Sequence, residues 1–348
     1  MSVTTARLQL QTLAKELAKG STRRIRNTAA SEELSQLTAY QAVFAQVNDW
    51  NAVAECCIQR EKCLQLISLP SAFTELNALR LRRAECLLEA GRSLLKAEKE
   101  LFGKAQVSAV DGSAPSFMER VLLAEQCYTR AIALLSSSSS ATSGTKNEVD
   151  EYGYEALQPM QLYQELAQQM ETLQLYHNAI EWYNHAMDAI ESHMDTHWIH
   201  YVQLAEATID CLLRMQPAKY NSAERMCQRL HNKLLTVERT DTVRSILVEN
   251  AITQRLLELH INHRSQITLP SKTRDENNEI DRISQHGDAS DLPAEVHAWF
   301  ARLEKSLRLT NANDAALVAA EADSNAHIQL NGRQLQLFKH LPNKQMPV

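Results

Sequence analysis

The sequence predicts an all-α fold, and its composition supplies the first two observations behind this prediction. Glycine and proline together account for only 16 of the 348 residues, whereas an average chain carries ~12% of the two combined. Alanine and leucine, both strong helix formers, total 89 residues, while the β-branched valine and isoleucine total 30. A β-rich fold would need more turn residues and more β-branched residues than this chain contains.

Apolar residues at helical spacing are the third observation, and they predict five helices in an N-terminal block. The clearest is the fourth helix, in which Ala84, Leu87, Leu88 and Gly91 follow the i, i+3, i+4, i+7 pattern while the opposite face is charged. Pro70 ends the third helix, because proline cannot continue a helix. The block covers residues 1–135, and its predicted helices span 7–19, 32–47, 51–67, 73–102 and 117–135.

The same spacing continues in a central block and a C-terminal block. Pro159 opens the central block, because proline is favoured in the first turn of a helix, and Pro293 opens the C-terminal block. The central block, 159–264, contains predicted helices at 159–174, 176–192, 196–215, 220–236 and 240–262. The C-terminal block, 293–341, contains predicted helices at 293–309, 312–323 and 325–341.

Two polar segments separate the three blocks. Residues 136–158 are rich in serine and then acidic, and residues 265–292 contain three basic residues and six acidic ones. Neither segment has enough apolar residues to form a packed core. We therefore expect two disordered insertions in the helical fold.

A repeat signature in the central block refines the fold class. The tetratricopeptide pattern of paired helices, W-x2-L-G-x2-Y followed by A-x3-F, is matched once apart from the trailing proline, whose place Glu191 takes. Partial matches begin at Ala124, Trp198 and Ala223. The repeat that resembles the pattern best consists of Tyr163, Leu166, Ala167 and Met170 on one helix and Ala179, Tyr183 and Ala186 on the next. This pattern predicts a tetratricopeptide-like helical-hairpin solenoid, with an ordinary helical bundle as the alternative.

Charge and motif content exclude several classes of function. The net charge of -6 argues against a nucleic-acid binder, and no run approaches the ~20 apolar residues of a membrane span. No phosphate loop, nucleophile motif or paired carboxylate is present, so we predict neither an enzyme nor a cofactor. Residues 1–30 are basic, as in a mitochondrial presequence, but their leucine stripe favours a first helix with a solvated basic face.

The histidine and cysteine residues are the candidates for metal or redox groups. His193, His197 and His200 have a spacing that zinc could use on one continuous helix, as in a metal-dependent hydrolase. Their segment crosses an expected turn, so the favoured interpretation is a solvated helix end and no metal site. The seven cysteines contain no C-x-x-C motif, which indicates reduced, partly buried thiols.

Five residues are candidates for contact with a partner protein. Arg23, Arg24 and Arg26 form a basic cluster that could dock on an acidic partner or an anionic membrane, with a solvated charge run as the alternative. Trp299 and Phe300 are adjacent aromatic residues in a charged context. Because adjacent helical residues point in different directions, we expect one of these two rings to face a partner. The alternative is that both rings pack against the preceding repeat.

Six segments of the chain carry a resemblance to a known family. They are AECCIQREKCLQL (54–66), LLEAGRSLLKAEKE (87–100), residues 161–190 and 202–230, the basic RRIRN (23–27) and PAEVHAWFARLEKSL (293–307). In their order along the chain these segments resemble the family of the 40-kDa huntingtin-associated protein, and the resemblance extends over most of the chain. The two polar insertions have no counterpart that could be aligned.

The resemblance implies a specific function. Members of that family are non-enzymatic tetratricopeptide-like adaptors that bind huntingtin, a very large HEAT-repeat scaffold, and we expect one copy of each in the complex. They are linked to early endosomes through an active Rab-class GTPase, which implies a cytoplasmic and early-endosomal location, with the nucleus as a further one. A more distant likeness to the soluble attachment proteins of membrane fusion gives the alternative, an adaptor in vesicle traffic.

Overall fold

The computed structural model describes residues 1–19, 27–67, 73–105, 117–139, 154–268, 293–308, 330–339 and 341. Every regular element in these ranges is helical, which confirms the predicted all-α fold class. The α-helices are α1 (Val3–Lys19), α2 (Asn27–Gln46), α3 (Trp50–Leu66), α4 (Phe73–Ala105), α5 (Phe117–Ser139), α6 (Tyr154–Thr172), α7 (Tyr176–Ile190), α8 (Met194–Arg214), α9 (Tyr220–Leu234), α10 (Asp241–Thr268), α11 (Ala294–Arg308) and α12 (Gly332–Lys339).

The chain divides into two compact units, Met1–Ile190 and Glu191–Val348. This boundary falls inside the predicted central block, 159–264, and between two helices of the repeat region. The division of the sequence into three blocks at the polar segments stays a prediction, because the compact units follow packing and not composition.

The first unit consists of consecutive helices that pack in chain order from α1 to α7. Short turns join neighbours: Asn48 (φ 56°) lies between α2 and α3, and Gln174 (φ 60°) lies between α6 and α7. Asp49 begins α3 as an N-cap, since its carboxylate accepts a hydrogen bond from the backbone N–H of Ala52 at 3.2 Å. Packing of each helix on the next in a series of hairpins is the arrangement of an α-solenoid.

Most positions of the repeat signature are buried in this unit, and Tyr163 is half-buried. On α6 and α7 they lie against each other with small and large side chains alternating, as paired helices require. Gly91 of α4 shows how closely two helices approach, because a Cβ atom there would lie only 2.8 Å from Cδ2 of Tyr128 on α5. The buried signature residues are Ala124, Tyr128, Ala131, Leu166, Ala167, Met170, Ala179, Tyr183 and Ala186.

The second unit begins with a short 3₁₀ turn, Glu191–His193, and continues with α8, α9 and α10, each packed on the next. The partial repeat matches supply its core at Tyr201, Val202 and Ala205 of α8 and at Ala223, Cys227 and Leu230 of α9. The C-terminal helix α12 packs against α10. Its Gln334, which is fully buried, donates to the carbonyl of Glu249 at 2.8 Å and to Thr253 at 3.1 Å.

Helix ends differ from the prediction where helices extend into the polar segments. α5 continues to Ser139, α6 already begins at Tyr154 with Pro159 inside it, and α10 continues to Thr268. Propagation of an established helix adds one hydrogen bond for each residue that is fixed, so a packed helix can extend into a polar sequence. The remainder of the predicted insertions, 140–153 and 269–292, and the predicted helix 312–323 lie outside the described residues.

None of the helices in the described ranges is both long enough and apolar enough to cross a membrane.

Candidate partner-binding surface

The two groups of predicted partner-contact residues have different outcomes. Arg23, Arg24 and Arg26 lie outside the described residues, so their role stays a prediction. Trp299 and Phe300 of α11 are 0% and 3% exposed. Both rings are therefore buried within the chain, and the expectation that one of them faces a partner is wrong.

The burial of two adjacent side chains follows from the position of α11. Adjacent residues on a helix point about 100° apart, so burial of both requires neighbours on more than one side. The ring centroids of Trp299 and of Phe338 on α12 lie 6.1 Å apart, and Glu304 of α11 forms an ion pair with Arg255 of α10. The Trp299 and Phe300 rings also meet edge to face at 4.8 Å. The contacts of α11 with α10 and α12 are not visible in the sequence around Trp299 and Phe300, and they are consistent with burial of both rings.

The three histidines lie at a distorted helix start. His197 departs from helical geometry (φ -116°, ψ 16°), which places a kink between His193 and His200. The rings of His193 and His200 are 6.5 Å and 6.1 Å from the ring of His197, which is buried. Among the residues that the structure describes, no group of three His, Cys, Asp or Glu side chains could hold a metal ion. The kink replaces the continuous helix that the zinc hypothesis required.

Buried carboxylates connect successive helices of the first unit. Glu61 of α3 is 1% exposed, and it accepts hydrogen bonds from Arg83 of α4 at 2.9 Å and from Arg130 of α5 at 3.0 Å. Each guanidinium donates to a different oxygen of the carboxylate. A buried charge that is satisfied in this way fixes three helices relative to one another.

A second carboxylate, Glu165 of α6, repeats this arrangement one hairpin further along. Arg92 of α4 donates to both of its oxygens, at 2.6 Å and 2.7 Å, and the hydroxyl of Tyr128 on α5 donates at 2.7 Å. Burial disfavours the ionised carboxyl, but the hydrogen bonds from Arg92 and Tyr128 outweigh it, so the pKa of Glu165 lies below its ordinary value. Burial is the largest cause of the raised pKa of Tyr128, and the negative charge of Glu165 is the second.

A partly exposed aromatic patch consists of Tyr163 on α6 with Trp182 and His185 on α7. The Tyr163 and Trp182 rings are stacked at 5.8 Å, and the His185 ring lies 5.5 Å and 5.3 Å from them. His185 is exposed, while the other two rings are half-buried. Tryptophan is enriched among the residues that contribute most of the binding energy at protein interfaces.

Sequence reasoning identified only part of this patch. The repeat signature includes Tyr163 of the patch and also Tyr183, which neighbours Trp182 and whose side chain is 2% exposed. Trp182 is instead half-buried, and its indole Nε1 donates to Glu125 of α5 at 2.9 Å. The spacing of Trp182 and His185, three residues apart and thus on one face of α7, is the signal that could have revealed the patch.

Exposed apolar side chains occur near the end of the α4/α5 hairpin. Leu101 of α4 is 45% exposed, and Met118 and Leu122 of α5 are 49% and 48% exposed. Met118 and Leu122 are four residues apart, so they share one face of α5. Such side chains favour contact with another protein, although singly exposed apolar residues are also common on monomers.

The cysteines provide no reactive thiol. All seven are free and buried. Burial is the largest cause of the raised pKa of six of these thiols, to about 12 for Cys56, Cys63 and Cys227 and about 11 for Cys127. Because the thiolate is the reactive form, these side chains act as small apolar core residues.

No protein-family model matches the sequence, and no curated protein matches it either. The class of the protein therefore rests on its fold, which is that of an all-α helical-repeat protein.

Proposed function

We propose that this chain is a non-enzymatic adaptor that binds and stabilises the HEAT-repeat scaffold huntingtin in a one-to-one complex. The observation that carries this proposal is the location of the segments that resemble the family of the 40-kDa huntingtin-associated protein. Residues 87–100 lie in α4, residues 161–190 span α6 and α7, and residues 202–230 lie in α8 and α9. The helices α6 to α9 carry buried repeat positions, and α4 packs on α5, which carries others, so the resemblance coincides with the packed framework.

The architecture suits contact with a large partner. Helical repeats present side chains from several consecutive helices on one extended surface. The exposed apolar residues of α4 and α5 favour an interface with an apolar centre and a charged rim, since their burial is worth about 25 cal/mol per Å². Partner binding then stabilises the chain by mass action.

The cellular part of the proposal follows from the same resemblance. The complex with huntingtin acts in the cytoplasm and at early endosomes, where a Rab-class GTPase recruits it, and the nucleus is a further location. The alternative, for which the helical-hairpin architecture alone speaks, is an adaptor of membrane fusion similar to the soluble attachment proteins.

Mild affinity purification of the endogenously tagged chain, with quantitative mass spectrometry of stoichiometric partners, tests this proposal. We expect a HEAT-repeat protein of the huntingtin type at close to one copy for each copy of the chain. The same tag on an unrelated helical-repeat protein is the control. Recovery of fusion machinery would replace the proposal by its alternative, and recovery of the chain alone would reject both functions.

A further inference from the structure

Two tryptophans of the first unit share one polar arrangement. Nε1 of Trp50 donates to Oε1 of Glu100 at 2.6 Å, and Nε1 of Trp182 donates to Oε1 of Glu125 at 2.9 Å. In both cases a carboxylate from a neighbouring helix lies at the edge of the indole. The negative charge adds to the negative potential of the ring face, so each site attracts a cation.

Within the described part of the chain, a cation is supplied at only one of the two sites. Nζ of Lys96 lies over the ring of Trp50, 3.6 Å from the centroid. No lysine or arginine in the described ranges lies over the ring of Trp182, and α6 and α7 contain neither residue type. Trp182 instead stacks on Tyr163 and contacts His185, and its ring stays half-buried. Among the residues that the structure describes, the second site therefore has the ring and the carboxylate without the positive charge.

The charge of α6 and α7 reinforces this asymmetry. The two helices contain five acidic residues and no lysine or arginine. Glu181, four residues from His185 on the same helix, is 61% exposed and lies 3.6 Å from Nε2 of His177. A surface with acidic side chains repels nucleic-acid phosphates and anionic lipids, and it attracts cationic protein segments.

We propose that the aromatic patch, together with Glu125 and Glu181, binds an arginine-bearing segment of a partner protein. The guanidinium takes the place over Trp182 that Lys96 takes over Trp50. Arginine fits better than lysine, because its planar group stacks on aromatic rings and pairs with carboxylates through two hydrogen bonds. This inference depends on the proposed adaptor role in one respect, namely that the ligand is a protein. It holds for any partner protein with an arginine-bearing segment.

Titration of the full-length chain with a fluorescein-labelled octa-arginine peptide, followed by anisotropy, tests the proposal. Trp182→Leu removes the aromatic ring and keeps apolar bulk, and its matched control is Trp50→Leu, where the ring already has its cation. Glu181→Lys reverses an exposed charge, and its matched control is Glu85→Lys, since Glu85 is exposed on α4. Thermal unfolding of each variant verifies that it is folded.

We expect Trp182→Leu and Glu181→Lys each to weaken octa-arginine binding at least about fivefold, and both controls to change it less than about twofold. Octa-lysine should bind more weakly than octa-arginine. Equal effects of the two tryptophan variants or of the two charge reversals would overturn the proposal. Equally tight binding of octa-glutamate or of a single-stranded RNA would also overturn it. If Trp182→Leu fails to fold, Glu181→Lys decides, because its side chain is exposed.

A parallel co-purification of huntingtin with the same variants separates this inference from the proposed function. Specific peptide binding without huntingtin recovery from the wild-type chain would reject the adaptor role and keep the surface. Huntingtin recovery without specific peptide binding would keep the adaptor role and reject the surface.

Discussion

Glu165 shows how a single side chain joins three helices and makes their packing depend on pH. Its folded-state pKa is lower than the ordinary value of 4.5. The folded chain thus favours the ionised carboxyl, and the resulting stabilisation is complete above the unfolded-state pKa. It is lost as the pH falls through the lower folded-state pKa.

We predict that Glu165→Gln reduces the loss of stability on acidification below pH 4.5. Because Arg92 is 53% exposed and solvent screens the pair, the substitution should cost about 1 kcal/mol at neutral pH. Urea unfolding at a series of pH values measures both effects. Parallel curves for the variant and the wild type across the acidic range would contradict the prediction, and Glu85→Gln, at an exposed site, is the control.

The buried cysteines give a second prediction at this scale. We expect an aromatic disulfide reagent at about pH 8 to modify the native chain slowly, because all seven thiols are buried and the raised pKa of six of them leaves little thiolate. In denaturant all seven should react rapidly. Absorbance of the released thiolate measures both rates. Rapid modification of even one thiol in the native chain would contradict the described burial.

Single-residue environments were only partly predictable from the sequence. Burial of Tyr183 follows from the repeat pattern, since the pattern specifies which face of α7 meets α6. The contacts of α11, between Trp299 and Phe338 of α12 and between Glu304 and Arg255 of α10, join helices that are distant in sequence. The hydrogen bond between Trp182 and Glu125 likewise joins helices that are separated along the chain. Local periodicity contains no information about such contacts.

At the scale of elements, the packing of α4 on α5 depends on a glycine. A Cβ atom at Gly91 would lie 2.8 Å and 2.9 Å from two ring carbons of Tyr128 and 3.4 Å from the carbonyl oxygen of Ala124. Tyr128 cannot move freely, because its hydroxyl is held by Glu165. The two helices would have to separate to admit a methyl group.

We predict that Gly91→Ala destabilises the chain by about 1–3 kcal/mol, even though alanine is the better helix former by about 1 kcal/mol. Gly332→Ala is the matched control, because a Cβ atom there meets nothing within 4 Å. The urea midpoint, followed by circular dichroism, should fall for the first variant and stay nearly constant for the second. A Gly91→Ala midpoint equal to that of the wild type would show that the helices adjust without cost.

Elements themselves were predictable because their signals are local. Apolar spacing located the helices, and the breaks near Gln174, His193 and Pro217 correspond to the turns between α6 and α9. Helix ends were less predictable: α5 continues through Ser136 to Ser139, although serine gives no apolar signal. The boundary between the two units at Ile190 has no compositional signal, because it reflects which helices pack together.

At the scale of the whole molecule, the exposed apolar side chains and the proposed adaptor role lead to one prediction. Leu101, Met118 and Leu122 are each close to half exposed, and contact with a partner would remove them from water. A partner that binds only the folded chain stabilises it by about 2.7 kcal/mol when its free concentration is 100 times its Kd. Such stabilisation acts on the whole chain, wherever the contact lies.

We therefore predict that the chain is poorly soluble or unstable when produced alone, and that co-expression with huntingtin raises its soluble yield and its unfolding temperature. Co-expression with an unrelated HEAT-repeat protein is the control, because a general effect of a helical scaffold would appear there as well. In cells, depletion of huntingtin should shorten the lifetime of the chain, since a larger unfolded fraction is exposed to proteases. A lone chain that is monodisperse, unfolds reversibly at high temperature and keeps its lifetime without huntingtin would contradict dependence on this partner.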